Sequence, residues 1–142
     1  MSYITATQYN TISGRDQSEA TDARIERASL LLDARCGLDR HADSDDDDKE
    51  FLIDKDDLNA RQKKAVEQWT AWLVASLAKS NDSPQVVEDV RLGRFQVRAQ
   101  DGRQVRMVSD DMMYADQLLV STGMVRRDVD SHPNQILVHR EL

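Results

Sequence analysis

Few side chains in this chain are of a type that does chemistry: one cysteine, Cys36, three histidines, His41, His132 and His139, and the acidic run "SDDDDKE" at residues 44–50. A thiol near an imidazole suggests a nucleophile or a zinc ligand pair, and closely spaced aspartates suggest a calcium loop. Each reading fails, on spacing, on place in a helix or on residue type. Cys36, His41 and the nearby aspartates match no zinc pattern. Cys36 falls at the C-terminal end of an expected helix, where the negative end of the dipole raises a thiol pKa instead of activating it. With Asp43 at the first position of a calcium loop, Asp45 and Asp47 fall at the third and fifth and Asp54 at the twelfth. Asp48 then replaces the glycine of the sharp turn, Glu50 replaces an apolar residue, and Asp54 is one methylene short of the bidentate glutamate. Weak, non-specific divalent binding is what such a run offers. The same letters spell the Asp-Asp-Asp-Asp-Lys sequence that enteropeptidase cuts, read here as a coincidence within an acidic loop. The chain has no glycine-rich phosphate loop, no Gly-x-Ser-x-Gly and no His-Glu-x-x-His. The expectation is a protein that is no enzyme, with no catalytic residue, no metal and no cofactor.

Charge is concentrated. The net charge is −7, and residues 41–60 alone hold nine Asp/Glu against two Lys/Arg, while the rest of the 142 residues is close to neutral. Overall acidity argues against general affinity for nucleic acid but leaves room for local basic patches. No stretch approaches the ~18 apolar residues of a membrane span. A single cysteine suits a reducing compartment, and the first residues lack a secretory layout. A soluble, intracellular protein without a membrane partner is expected.

The elements that must position these groups are mainly helical. Only five Gly and two Pro punctuate the chain, too few for an all-β protein. One helix is expected over Ser18–Cys36, capped by Ser18 and stopped by Gly37, with Ile25, Ala28, Leu32 and Cys36 on one face and Leu31 widening it. Residues 37–56 read as a loop. A second helix is expected over Asp57–Lys79, with Leu58, Ala65, Trp69, Trp72, Leu73 and Ser76 facing the core and Arg61, Lys63, Lys64, Glu67 and Gln68 facing water. The two tryptophans, one turn apart, should anchor it against the first helix. Ser83-Pro84 starts a short helix to Val90. A last helix runs from a Ser109 cap to Thr122, with Met112, Ala115, Leu119 and Thr122 on its inner face and Gly123 as its stop.

Between these last two helices the apolar period changes from 3.6 to 2, which predicts a β-hairpin over about 92–108. A three-residue turn, Gln100-Asp101-Gly102, pairs Val97 with Val105 and Phe95 with Met107, which keeps one face apolar. The other face then carries Arg94, Arg98 and Arg106, with Arg91 and Arg103 near the ends. Five arginines and Asp101 leave residues 91–106 at +4. Such a face contacts phosphate or an acidic neighbour, or simply discourages strand aggregation. Residues 124–142 form a tail with two short apolar stretches. The fold expected is thus mainly α, a small bundle of two long and several shorter helices, with a β-hairpin and an extended C-terminal tail. The division is a helical domain over 1–123 and the tail over 124–142.

Taken in order, four stretches resemble the small head–tail connector (adaptor, or head-completion) proteins of long-tailed bacteriophages. They are "YITATQYNTISG", "ATDARIERASLLLDARCG", "QKKAVEQWTAWLVA" and "SPQVVEDVRLGRFQVRA", covering most of residues 3–99. The resemblance implies a mostly helical subunit, made in the bacterial host cytoplasm. It implies assembly in the virion neck as a ring, usually twelve-membered, beneath the portal protein. The ring would extend a channel through which genomic DNA passes without specific binding, and would present a platform to a tail or neck completion protein. It also implies that a C-terminal segment docks on the portal, which makes Arg126, Arg127, Ile136, Leu137 and Val138 the docking candidates. The long acidic loop and the long tail depart from a minimal member. Within a ring, Asp45, Asp46, Asp47 and Asp48 would face an arginine surface of a neighbour, or line the channel and repel DNA. The competing expectations are a small nucleic-acid-binding or replication accessory protein that uses the arginine hairpin, and a calcium-sensing module.

Overall fold

A computed structural model describes residues 2–39, 53–91, 97–98, 104–105 and 109–125. Its architecture follows from one helix, which we label α3 (Ala60–Lys79). From Trp69 to Leu77 every residue of α3 except Trp72 is buried. A helix apolar on all sides must be covered on all sides. Four other helices do this: α1 (Ala6–Ser13), α2 (Asp22–Cys36), α4 (Pro84–Arg91) and α5 (Asp110–Ser121). All four pack on α3, with α2 and α5 making its largest contacts.

The residues that seal the core come from each element. Ile4 and Tyr9 enter from the N-terminal segment and α1, and Ile25, Ala28 and Leu32 from α2. Val86 and Val90 come from α4, and Met112 and Leu119 from α5. Trp69 and Leu73 of α3 are fully buried. Trp72 is half-buried at the margin, where its indole Nε1 donates to Gln68 Oε1 at 3.3 Å. Glu67 and Gln68, expected on the wet face, are half-buried as well.

Helix starts are set by caps, and these move several expected boundaries. α2 begins at Asp22, not Ser18, because Thr21 Oγ1 accepts from the Arg24 amide at 3.2 Å. Ser18 instead lies in a separate 3₁₀ turn, Gln17–Glu19, where its amide donates to Asp16 Oδ1 at 2.9 Å. α3 begins at Ala60, with Asn59 and Gln62 in a reciprocal capping box. Asp56 and Asp57 fall in a 3₁₀ turn, Lys55–Asp57, just before it. α1, which the apolar pattern does not announce, carries the same device in Thr5 and Gln8. α5 is capped by Ser109, as its sequence suggests. Gly37 closes α2 at φ 64°, the left-handed region that favours glycine, and its amide reaches Asp33 O at 2.7 Å.

Two short strand pairs complete the description. β1 (Leu38–Asp39) pairs in parallel with β2 (Ile53–Asp54), Leu38 opposite Ile53. The two ends of the expected 37–56 loop are therefore joined by backbone pairing. β3 (Val97–Arg98) pairs antiparallel with β4 (Gln104–Val105), Val97 opposite Val105. The remainder of the expected hairpin and the tail from Arg126 onward lie outside the described residues. Among the described residues no helix is long and apolar enough to cross a membrane.

Candidate functional site

The residues singled out from sequence divide sharply. Ile25, Ala28, Leu32, Trp69 and Leu73 are buried in the core, with Trp72 at its edge. Asp45, Asp46, Asp47, Asp48, Arg94, Arg106, Arg126, Arg127, Ile136, Leu137 and Val138 lie outside the described residues, and Arg98 is described through its backbone alone, in β3. What the structure does show is how the helices of the bundle are locked together.

The main lock joins three helices through one carboxylate. Asp116 of α5, only 8% exposed, receives Arg35 of α2 in a fork, Nε to Oδ1 at 2.7 Å and Nη2 to Oδ2 at 2.8 Å. The indole Nε1 of Trp69 in α3 donates to the same Oδ1 at 3.0 Å. Both oxygens are satisfied, and a planar guanidinium meets a planar carboxylate, the geometry in which a charge-assisted pair is strongest. The sequence pattern gives Trp69 as a core anchor against α2 and points to neither Arg35 nor Asp116 as its companions. The signal was present, since Asp116 sits four residues after Met112 and three before Leu119, on the face that must be buried.

Beside the lock lies Cys36, 1% exposed, whose thiol is pushed up to about 12. Burial is the main cause, with Asp116 and Asp33 adding to it and Arg35 opposing. The direction is that expected from sequence, but the reason is desolvation. At neutral pH this thiol is a small apolar side chain, not a nucleophile. Tyr3 ties the N-terminal segment to α2 through its hydroxyl, which donates to Asp33 Oδ1.

A second cluster surrounds α4. The chain leaves α3 through Asn81 and Asp82, both left-handed at φ 55° and 62°, and the Asp82 amide reaches back to Leu77 O at 2.8 Å. Arg24 of α2 clamps this joint. Its Nε and Nη2 donate to the two Asp82 oxygens at 2.9 and 3.1 Å, and its Nη1 donates to Glu19 O at 2.9 Å. The hydrogen bonds from Arg24 hold the Asp82 carboxyl below its ordinary range. On the inner face of α4, Val86 and Val90 are buried together with Asp89, at 2% exposure. Gln85 Nε2 donates to Asp89 Oδ1 at 3.1 Å, but Oδ2 has no partner among the described residues.

Magnitudes show how finely α4 is balanced. Burying a valine gains about 1.5–3 kcal/mol. An unpartnered buried polar atom costs about 1–3 kcal/mol, and each left-handed residue up to about 1–2 kcal/mol, less for Asn and Asp. Two valines thus face a penalty of similar size, and an eight-residue helix has little stability of its own.

Two shallow grooves flank the N-terminal segment. One, of about 380 Å³, runs between Ser2–Ala6 and the Asp22–Glu26 turn of α2; the other, of about 220 Å³, runs between Ser2–Tyr3 and the Lys63–Glu67 turn of α3. Among the described residues no group of three His, Cys, Asp or Glu side chains is placed to hold a metal ion. Comparison with known proteins finds no matching family model, no matching curated protein and no matching solved structure.

Proposed function

We propose that this chain is a structural neck component of a long-tailed bacteriophage, a connector subunit that assembles as a ring beneath the portal protein and extends the DNA channel. The observation that carries the reading is the order of elements. Four stretches covering most of residues 3–99 resemble connector proteins in the order of their elements, and a mainly helical bundle with two longer helices packed on each other and a short Pro-started helix is compatible with that likeness. A platform locked by polar cross-links between helices also suits a subunit that works by contact and not by chemistry.

In this reading the hairpin extends over about 92–108, Phe95 pairs with Met107, and Arg94, Arg98 and Arg106 form a basic face toward an acidic neighbour. The acidic run Asp45–Asp48 is its complement on the next subunit. The tail, through Arg126, Arg127 and Ile136–Val138, docks on the portal. The test is the native mass of the chain alone and mixed with the portal protein of the same phage. A ring, or a stoichiometric portal complex, is the expected result. No complex with portal, together with a DNA gel shift that weakens steeply with salt, would overturn it in favour of a nucleic-acid-binding protein.

A further inference from the structure

We propose that α4 is a releasable arm of the bundle, latched by the Arg24–Asp82 ion pair, and that it opens as a unit while α2, α3 and α5 stay folded. Three independent features of one short element lead there. Its entry is two consecutive left-handed residues that are not glycine, Asn81 and Asp82. Its packing face buries a carboxylate oxygen, Asp89 Oδ2, that no described residue satisfies. Its apolar anchorage is just Val86 and Val90, with Val87 half-buried.

Left-handed backbone at the joint and a buried carboxylate oxygen with no partner among the described residues both favour the open state, in which that oxygen meets water and the joint relaxes. Arg24 opposes them. By holding Asp82 in a fork while also holding the Glu19 carbonyl, it ties the joint to the start of α2. Opening would carry the hairpin segment with it, since only five residues, 92–96, separate Arg91 from Val97 of β3. The latch is therefore close in sequence to the arginine-bearing segment. It lies within a single chain and is independent of the connector reading.

Hydrogen exchange on the full chain, read by mass spectrometry, tests it. Amides of residues 84–91 are expected to exchange about tenfold faster than those of residues 69–77, as befits a sub-global opening. Asp82→Asn keeps a residue suited to the left-handed region but removes the charge. It should speed exchange in α4 by a further threefold to fivefold, roughly the worth of one partly exposed ion pair, and leave residues 69–77 unchanged. Arg24→Lys, which keeps the charge but loses the fork, should shift α4 in the same direction. Asp89→Leu should slow it. Equal exchange of α4 and α3 in the wild type, or acceleration of both elements together in Asp82→Asn, would overturn the proposal. So would a rate in α4 that none of the three substitutions changes.

Discussion

Asp116 shows how much of this fold can hang on one side chain. Its oxygens receive Arg35 and Trp69 from two other helices, so truncation takes the fork from a guanidinium that is 18% exposed and leaves an indole N–H without that acceptor. Removing one partner of such a pair costs about 3–5 kcal/mol when fully buried. Here partial exposure of the pair reduces that to about 2–4 kcal/mol, or a fall in Tm of about 6–12 °C for a chain of this size. Asp116→Ala should show that fall in a thermal melt, and Asp116→Asn, which retains an acceptor for Trp69, should lose less. The carboxylate was legible as an anomaly in an apolar stripe, but its cation was not, because Arg35 lies 81 residues away and no local pattern joins them. Cys36 makes a separate prediction about pH. Its folded pKa, near 12, lies above the ordinary value of about 8.5, so the native state retains a proton that the unfolded chain gives up. Stability from this group is complete below about 8.5 and is lost as pH rises toward 12. Urea melts from pH 8 to 11 should therefore show a steeper alkaline decline in wild type than in Cys36→Ala. Equal slopes would mean that the thiol is not buried in solution.

At the scale of the element, capping side chains set the boundaries and apolar faces set the packing. α2, α3 and α5 were legible because each carries an apolar stripe of helical period, and their residues occupy the core accordingly. Their starts were less legible. Ser18 and Thr21 are both good caps, and the choice falls to Thr21 because Asp16 draws Ser18 into its own turn. α1 was missed because among its eight residues Tyr9 alone is buried, so no stripe announces it, although the spacing of Thr5 and Gln8 is a capping-box signature. The parallel contact between β1 and β2 could not be read at all, since it joins segments across 13 intervening residues through backbone atoms. The cap of α3 is the most consequential, because α3 is the helix every other helix packs against. Asn59→Ala should cost about 1 kcal/mol and fray the first turn, while leaving the buried half from Trp69 onward intact. Circular dichroism and a urea melt with unchanged m-value would show this. A loss several times larger would mean that the 3₁₀ turn before Asn59 depends on the same cap.

For the whole molecule the question is what the acidic segment, residues 41–60, contributes. Leu38 pairs with Ile53, and α2 and α3 are in direct contact, so the residues that flank 40–52 on either side are held by described contacts. Replacing Asp45–Asp48 with serine moves the net charge from −7 to −3 without touching any described contact. The melting temperature of the free chain should therefore change little. In the proposed connector, assembly should respond differently if these carboxylates meet arginines of a neighbouring subunit. Exposed pairs contribute only about 0–1 kcal/mol each, so the strength of a ring or portal complex should fall modestly. Steering is another matter, because four like charges act together over a screening length of about 8 Å at physiological salt. The association rate should drop, and its dependence on salt should flatten. Light scattering of assembly with portal protein, at low and at physiological ionic strength, measures both. If the serine variant assembles at the wild-type rate with the wild-type salt dependence, the acidic run does not face an arginine surface. Its charge would then be directed elsewhere, and a channel lining that repels phosphate would become the better account.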